Sequence, residues 1–201
     1  MKVGFVSALG LLVTATIIAQ DAPITIRAGR LIDGAGGVSE NVRLTLDGSR
    51  IGRVDRLRGA VTYDLSDFTV MPGLIDTHVH LTAHFDADGG NHRDQDEAPE
   101  QTVLYAAENA YRTLLAGFTT VQSLGSPRDR YLRDAIARGS LPGPRVLTSL
   151  GAVSAGTGTP DEIRSYVRRL AEDGADVVKI FASASIREGG AQVMTDEQLR
   201  A

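Results

Sequence analysis

The chain has 201 residues, 42% of them hydrophobic and 23% charged, which is enough apolar material for the core of one domain or two small ones and too much for a disordered segment. A formal charge of −4 with scattered Lys and Arg gives no basic stripe for nucleic acid or an anionic membrane, so a small-molecule partner is expected. The absence of cysteine excludes disulfides, thiolate metal sites and a cysteine nucleophile, leaving His, carboxylate and Lys chemistry for any metal.

The first elements to read are at the N-terminus. One early lysine, Lys2, precedes an uncharged apolar run over residues 3–19, followed by the polar "QDAP". This pattern predicts a signal peptide at residues 1–19, cleaved after Ala19, with export to a periplasm or out of the cell. After cleavage no stable membrane association is expected. The competing reading is a membrane anchor, because the run nearly reaches spanning length.

Residues 24–70 read as short strands. "NVRLTLDGSRIGRV" alternates Val42, Leu44 and Leu46 against Arg43 and Thr45, then turns at Asp47-Gly48 into a second alternating run, the pattern of a β-hairpin.

Beyond Pro72-Gly73 the rhythm becomes strand then helix, repeated. A strand over residues 74–80 leads through a polar loop to a helix over 99–116, with Val103, Ala107, Tyr111 and Leu114 at helical spacing and Gly117 as its stop. "FTTVQSL" is a second strand, Ser126-Pro127 opens a helix that ends at Gly139, and "PRVLTSL" is a third strand. Thr159-Pro160-Asp161-Glu162 is a capping box with proline at the first helical position. "ADVVKIFAS" is a fourth strand, and Thr195-Asp196-Glu197-Gln198 announces another helix just before Ala201. The alternation argues a parallel α/β sheet or barrel.

The candidate chemistry begins at "DTHVHL". Side chains two apart on a strand project to one face, so His78 and His80 point the same way and can offer two imidazole nitrogens to one ion of the zinc class. The pair sits at the C-terminal end of the first strand of the series, where active sites form in βα barrels. Lys179 in "DVVKIF" shares a strand face with Val177 and Phe181. Two readings stay open for it: an ammonium that reaches solvent along its stem, or a lysine converted by carbon dioxide to a carbamate that ligates metal. His84 and His92 lie in or beside the loop after the first strand, on the presumed catalytic face, and read as solvated residues, with contact to substrate or metal as the lesser alternative. Asp86 and Asp88 begin a calcium-loop pattern that fails at Gly90, and Gly156-Thr157-Gly158 lacks the lysine of a phosphate loop.

"VMPGLIDTHVHL", "LLAGFTTVQSLG", "LRDAIARGSLPGPRVLTS", "DGADVVKIFAS" and "MTDEQLRA", in this order, resemble the amidohydrolase superfamily, in particular its imidazolonepropionase-like and Xaa-Pro dipeptidase-like branch. The resemblance implies a (β/α)8 barrel beside a small β-sandwich. Residues 20–70 would be part of the sandwich, and residues 71–201 the first four strand–helix units of the barrel. It implies His78, His80 and Lys179 as metal ligands, Lys179 as a carboxylated bridge, one or two divalent ions, zinc foremost, and hydrolysis of C–N bonds in small amides, dipeptides or cyclic amides by metal-activated water. The resemblance also implies two later histidines and a late aspartate, whereas no histidine follows His92. The expectation is therefore a truncated N-terminal portion, inactive by itself. The alternative is a non-catalytic half-barrel that completes its fold by self-association as an oligomer.

Overall fold

The computed structural model describes residues 22–56, 58–93 and 96–201. The expected signal peptide at residues 1–19 lies outside them. Two compact units divide between Pro72 and Gly73.

The first unit is one mixed sheet of β1 (Ile24–Ile32), β2 (Val38–Asp47), β3 (Arg50–Arg56) and β4 (Tyr63–Val70), in the order β3-β2-β1-β4. The hairpin expected from alternation is β2–β3: Asp47 pairs with Arg50, and Gly48, at φ +56, makes the turn that a side chain would strain. β1 pairs antiparallel with β2 and parallel with β4. The β1–β4 register shifts between Ala28 and Arg30. There Gly29 approaches the other strand so closely that a Cβ would lie 1.8 Å from the Ser66 carbonyl oxygen. Ala28, Leu31, Val42 and Leu44 are buried, with Ile26 and Val70 packed against them.

The second unit alternates strand and helix. β5 (Leu74–Val79) is followed by a small antiparallel hairpin, β6 (His84–Phe85) and β7 (Asn91–His92), within the connecting loop. Then come α1 (Pro99–Leu115), β8 (Phe118–Ser123), α2 (Asp129–Ala137) and β9 (Arg145–Thr148). β5, β8 and β9 form a parallel sheet in that order. The chain continues with β10 (Ala152–Ser154), α3 (Pro160–Glu172), β11 (Lys179–Phe181) and α4 (Asp196–Leu199), β10 and β11 being parallel. Parallel strands in sequence order, each followed by a helix, are the first half of a (β/α)8-type barrel.

Local chemistry sets the helix boundaries. Both expected capping boxes form: Thr159 N–H donates to Glu162 Oε2 at 2.7 Å, and Thr195 N–H to Gln198 Oε1 at 2.9 Å. Gly117, at φ +92, ends α1. α2 begins later than expected, at Asp129, because Ser126 Oγ accepts from Arg128 N–H at 3.1 Å and holds residues 126–128 in a turn.

Leu81, Ala106, Ala110, Val121, Leu132 and Val146 form the core between the sheet and its helices. Full burial of a side chain such as Leu132 stabilises by about 1.5–3 kcal/mol. The buried stripe of α1 is Thr102, Ala106 and Ala110, one position off the expected one; Val103, Ala107 and Leu114 are half-buried and Tyr111 is exposed. Small side chains bring the helix close to the sheet, and Thr102 enters the core because its hydroxyl donates back to Ala98 O at 3.2 Å.

The expected third strand, over residues 144–150, ends at Thr148, because buried Leu150 takes a left-handed backbone, φ +54, before a further short strand, β10, begins. The fourth strand is shorter than expected. Its approach is tied to the end of β9 by Asp176 N–H, which donates to Thr148 O at 2.7 Å.

Candidate metal centre

Strand alternation places Val79 and Leu81 against the helix-side core, and with them the polypeptide is fixed so that His78 and His80 project from the opposite face at the C-terminal end of β5. Their rings stand 5.3 Å apart, centroid to centroid, at 65°. The end of the strand is held from several directions. Asp76 Oδ1 accepts from His78 N–H at 2.9 Å, Leu124 N–H donates to Val79 O at 2.9 Å, and Leu81 N–H donates to Ser123 Oγ at 3.1 Å. Asn109 of α1 donates to both Leu81 O and Ala83 O at 2.8 Å, which pins the turn that leaves His80. Sequence reading passes over Asn109, since a polar residue within a helix carries no sign of what it will bond.

Lys179 opens β11 opposite Ala152 of β10. Its Nζ lies 3.4 Å from His78 Nε2 and 4.9 Å from the centre of the Phe181 ring, and the residue is half-buried. The three residues singled out by sequence, His78, His80 and Lys179, are thus brought to one place.

The charge balance there favours neutral imidazole at His80. Burial of part of its ring is the largest cause of a pKa below the ordinary 6.5; the charges of His78, Lys179 and Arg93 push the same way, and a hydrogen bond with the Leu124 backbone opposes them. A neutral ring with its lone pair available is the form that ligates a metal.

The donor chemistry therefore fits a zinc-class ion in part. Two imidazoles and one amine nitrogen converge, and among the described residues no group of three or more His, Cys, Asp or Glu stands close enough to hold a metal. Among the described residues the third donor would have to come from the lysine.

His84 and His92 do not join that group. His84, expected to be solvated, keeps only 10% of its side-chain surface exposed. Its ring stacks on Tyr105 at 3.6 Å and on His92 at 5.2 Å, and its Nε2 lies 3.2 Å from Glu97 Oε1. His92 Nε2 lies 2.8 Å from Asp86 Oδ2. Asp86 Oδ1 accepts from Asp88 N–H and Gly90 N–H at 2.9 and 2.7 Å, so the acidic loop spends this carboxylate on its own turn.

Beside the centre, a cleft of about 680 Å³ runs from His80 past Thr82, Leu124 and Phe181 to Asn91 and Arg93. Arg93 comes from the loop after β5. Nothing in its sequence context marks it out, because its place in the cleft depends on the β6–β7 hairpin turning the loop back.

The sequence model of the Amidohydrolase family matches residues 69–201. The chain is similar to a dihydroorotase from Anaeromyxobacter dehalogenans (strain 2CP-C), 27% identical over 186 residues, which cover 87% of this chain and 37% of that protein. Among solved structures it is similar to a Xaa-Pro dipeptidase with bound methionine in the active site, at 28% identity and a TM-score of 0.77, covering 89% of this chain and 52% of that one. A prolidase complexed with N-methylphosphonate-L-proline gives 22% identity and a TM-score of 0.75 over 89% of this chain and 52% of that chain, a likeness that bears on the fold alone. The chain thus spans about half the length, or less, of the relatives it matches.

Proposed function

From the premise that this chain belongs to the amidohydrolase family, we propose that it supplies part of the active centre of a metal-dependent hydrolase that breaks C–N bonds in small amides, dipeptides and cyclic amides included. The observation that carries this reading is the convergence of His78, His80 and Lys179 at the C-terminal end of β5 and the first residue of β11. These three residues would hold the metal, one or two ions of the zinc class, which when bound acidifies water and polarises a carbonyl.

The residues of this chain have separate tasks in that scheme. His80 presents an uncharged ring, because its surroundings disfavour protonation. His78 is oriented by the hydrogen bond between its own backbone and Asp76. Lys179 as an ammonium would oppose a cation beside His78; carboxylation would turn it into an anionic oxygen donor at the same place, in keeping with a half-buried stem beside Phe181. The four-stranded first unit serves as the N-terminal share of a β-sandwich, and residues 1–19 act as a cleaved export signal, so the enzyme works outside the cytoplasm. Nucleic acid has no part in this function.

Three donors leave a zinc site without its full set, so residues 20–201 alone give no turnover. The test is hydrolysis of small amides and dipeptides by a chain that also carries the remaining barrel strands, together with elemental analysis. Hydrolysis that survives His78→Ala, in protein free of divalent metal, overturns the reading.

A second reading has one observation in its favour. The outer strands of the series expose apolar side chains, with Ile75 of β5 at 65% and Phe181 of β11 at 50%, and such edges seek partners. On this reading the chain is a non-catalytic unit that pairs with a second copy. Light scattering decides: a discrete dimer supports self-assembly, and a monomer removes it.

A further inference from the structure

The hydrolytic scheme gives tasks to His78, His80 and Lys179 and none to α1, yet this helix sets one polar side chain against the strand end that carries both imidazoles. Asn109 stands inside the helix, where asparagine is among the poorer helix formers. Its neighbours Ala106 and Ala110, small and buried, bring the helix close to the sheet, so a side chain as short as asparagine reaches the backbone beyond β5. Both hydrogens of its amide are used there: Nδ2 donates to Leu81 O and to Ala83 O, each at 2.8 Å. Two carbonyls at one nitrogen fix the orientation of the amide, because its oxygen end would repel both.

The segment held in this way is the exit from His80. His80 O accepts from Ala83 N–H at 3.1 Å, which closes a turn over residues 80–83. Leu81 N–H donates to the buried Ser123 Oγ at 3.1 Å, and Val79 O accepts from Leu124 N–H at 2.9 Å. Those bonds fix the strand end from the sheet side, and Asn109 fixes the turn from the helix side. We propose that Asn109 is a positioning residue for His80, holding the turn so that the imidazole keeps its ligating place before any ion arrives. The inference rests on the hydrolase reading for its purpose, but the placement of the ring can be followed without metal or turnover.

Three-bond couplings between the backbone and His80 Cγ, measured in the metal-free 201-residue chain, report the rotamer of the ring. The wild type should show a single rotamer. Asn109→Asp keeps the shape of the side chain and replaces its donors by acceptors, so its couplings should be averaged. Asn109→Gln keeps the NH2 group on a longer stem and should restore part of the order, whereas a role in packing alone would favour the aspartate. Calorimetric zinc affinity should fall about tenfold in Asn109→Asp, as when a metal site loses an outer support. Thr102→Ala is the control: it removes a hydrogen bond to Ala98 O in the first turn of the same helix, and should lower the urea midpoint while leaving rotamer and zinc affinity as in the wild type. Asn109→Ala removes the donors without adding charge and carries the same comparison should the aspartate variant not fold. An averaged ring in the wild type, a single rotamer without the Asn109 amide, order kept better by aspartate than by glutamine, or an equal loss in Thr102→Ala overturns the proposal. A rotamer that depends on Asn109 in a chain that takes up no zinc leaves this inference standing and removes the metal centre. Zinc uptake with rotamer and affinity unchanged in Asn109→Asp does the reverse.

Discussion

Lys179 Nζ lies 3.4 Å from His78 Nε2 although 101 residues separate them in the chain. The contact depends on the parallel order that sets β11 beside β10 and on the alternation that turns His78 away from the helix-side core. An amine facing an imidazole this closely is either a hydrogen-bonded pair or two members of one coordination shell, and the two cases give different measurements. If they share a shell, zinc binds to the chain at neutral pH, and His78→Ala, His80→Ala and Lys179→Met each weaken it by about tenfold or more, the effect expected of losing a donor or its support. Calorimetric zinc titration checks this. Supplying labelled bicarbonate should in addition produce a carbamate resonance that Lys179→Met removes. Wild-type zinc affinity in all three variants would discard the coordination shell and leave the hydrogen-bonded pair.

The β6–β7 hairpin before Arg93 is held by an ion pair whose two partners shift each other's pKa in opposite directions. The hydrogen bond that His92 Nε2 donates to Asp86 Oδ2 is the largest cause both raising the His92 pKa above 6.5 and lowering that of Asp86 below 3.8. The His92 share of hairpin stability is complete below about 6.5 and is lost as pH rises through its raised value. The Asp86 share is present above 3.8 and is lost as pH falls through its depressed value. The pair therefore holds the loop best between these limits. Imidazole resonances followed against pH should place His92 above 6.5, and Asp86→Asn should bring it down.

The parts of the fold legible in sequence are those written in local chemistry. The β2–β3 hairpin, the Thr159 and Thr195 caps and the projection of His78 with His80 each follow from a few adjacent residues, and each is present. What sequence reading misses depends on distant partners. Polar Thr102 enters the core because it bonds back to Ala98, so the stripe of α1 turns by one position. His84 is buried by Tyr105 and Glu97 arriving from α1 and the segment before it, which no pattern around residue 84 announces. The break between β9 and β10 rests on a left-handed Leu150, a conformation that leucine composition argues against.

That break is stabilised by a buried hydroxyl, which makes it open to a near-isosteric test. Thr148 is fully buried; its Oγ1 donates to Asp129 Oδ2 at 3.2 Å and accepts from Leu150 N–H at 3.1 Å. Valine keeps the shape and removes both bonds, taking the acceptor from the amide of the one residue in the strained turn. Thr148→Val should cost roughly 2–3 kcal/mol, the loss of two buried hydrogen bonds including one to a carboxylate. Urea unfolding measures it; a cost below about 0.5 kcal/mol, the scale of a neutral surface change, would mean that the turn does not depend on this hydroxyl.

In the first unit the corresponding test is steric. A Cβ on Gly29 would stand 1.8 Å from the Ser66 carbonyl oxygen, and a backbone atom in a paired strand cannot rotate aside as a side chain can. Gly29→Ala must therefore separate β1 from β4 at the register shift, loosening the contact of Val70 with Ala28 and Leu31. The cost should reach about 1–3 kcal/mol, as for other overpacked sites. Hydrogen exchange locates it, because amides of β1 and β4 should lose protection while those of the β2–β3 hairpin, paired on the far side of β1, keep more of theirs. Uniform loss across all four strands would show instead that the sheet opens as a single cooperative unit and that the close approach at Gly29 has no local role.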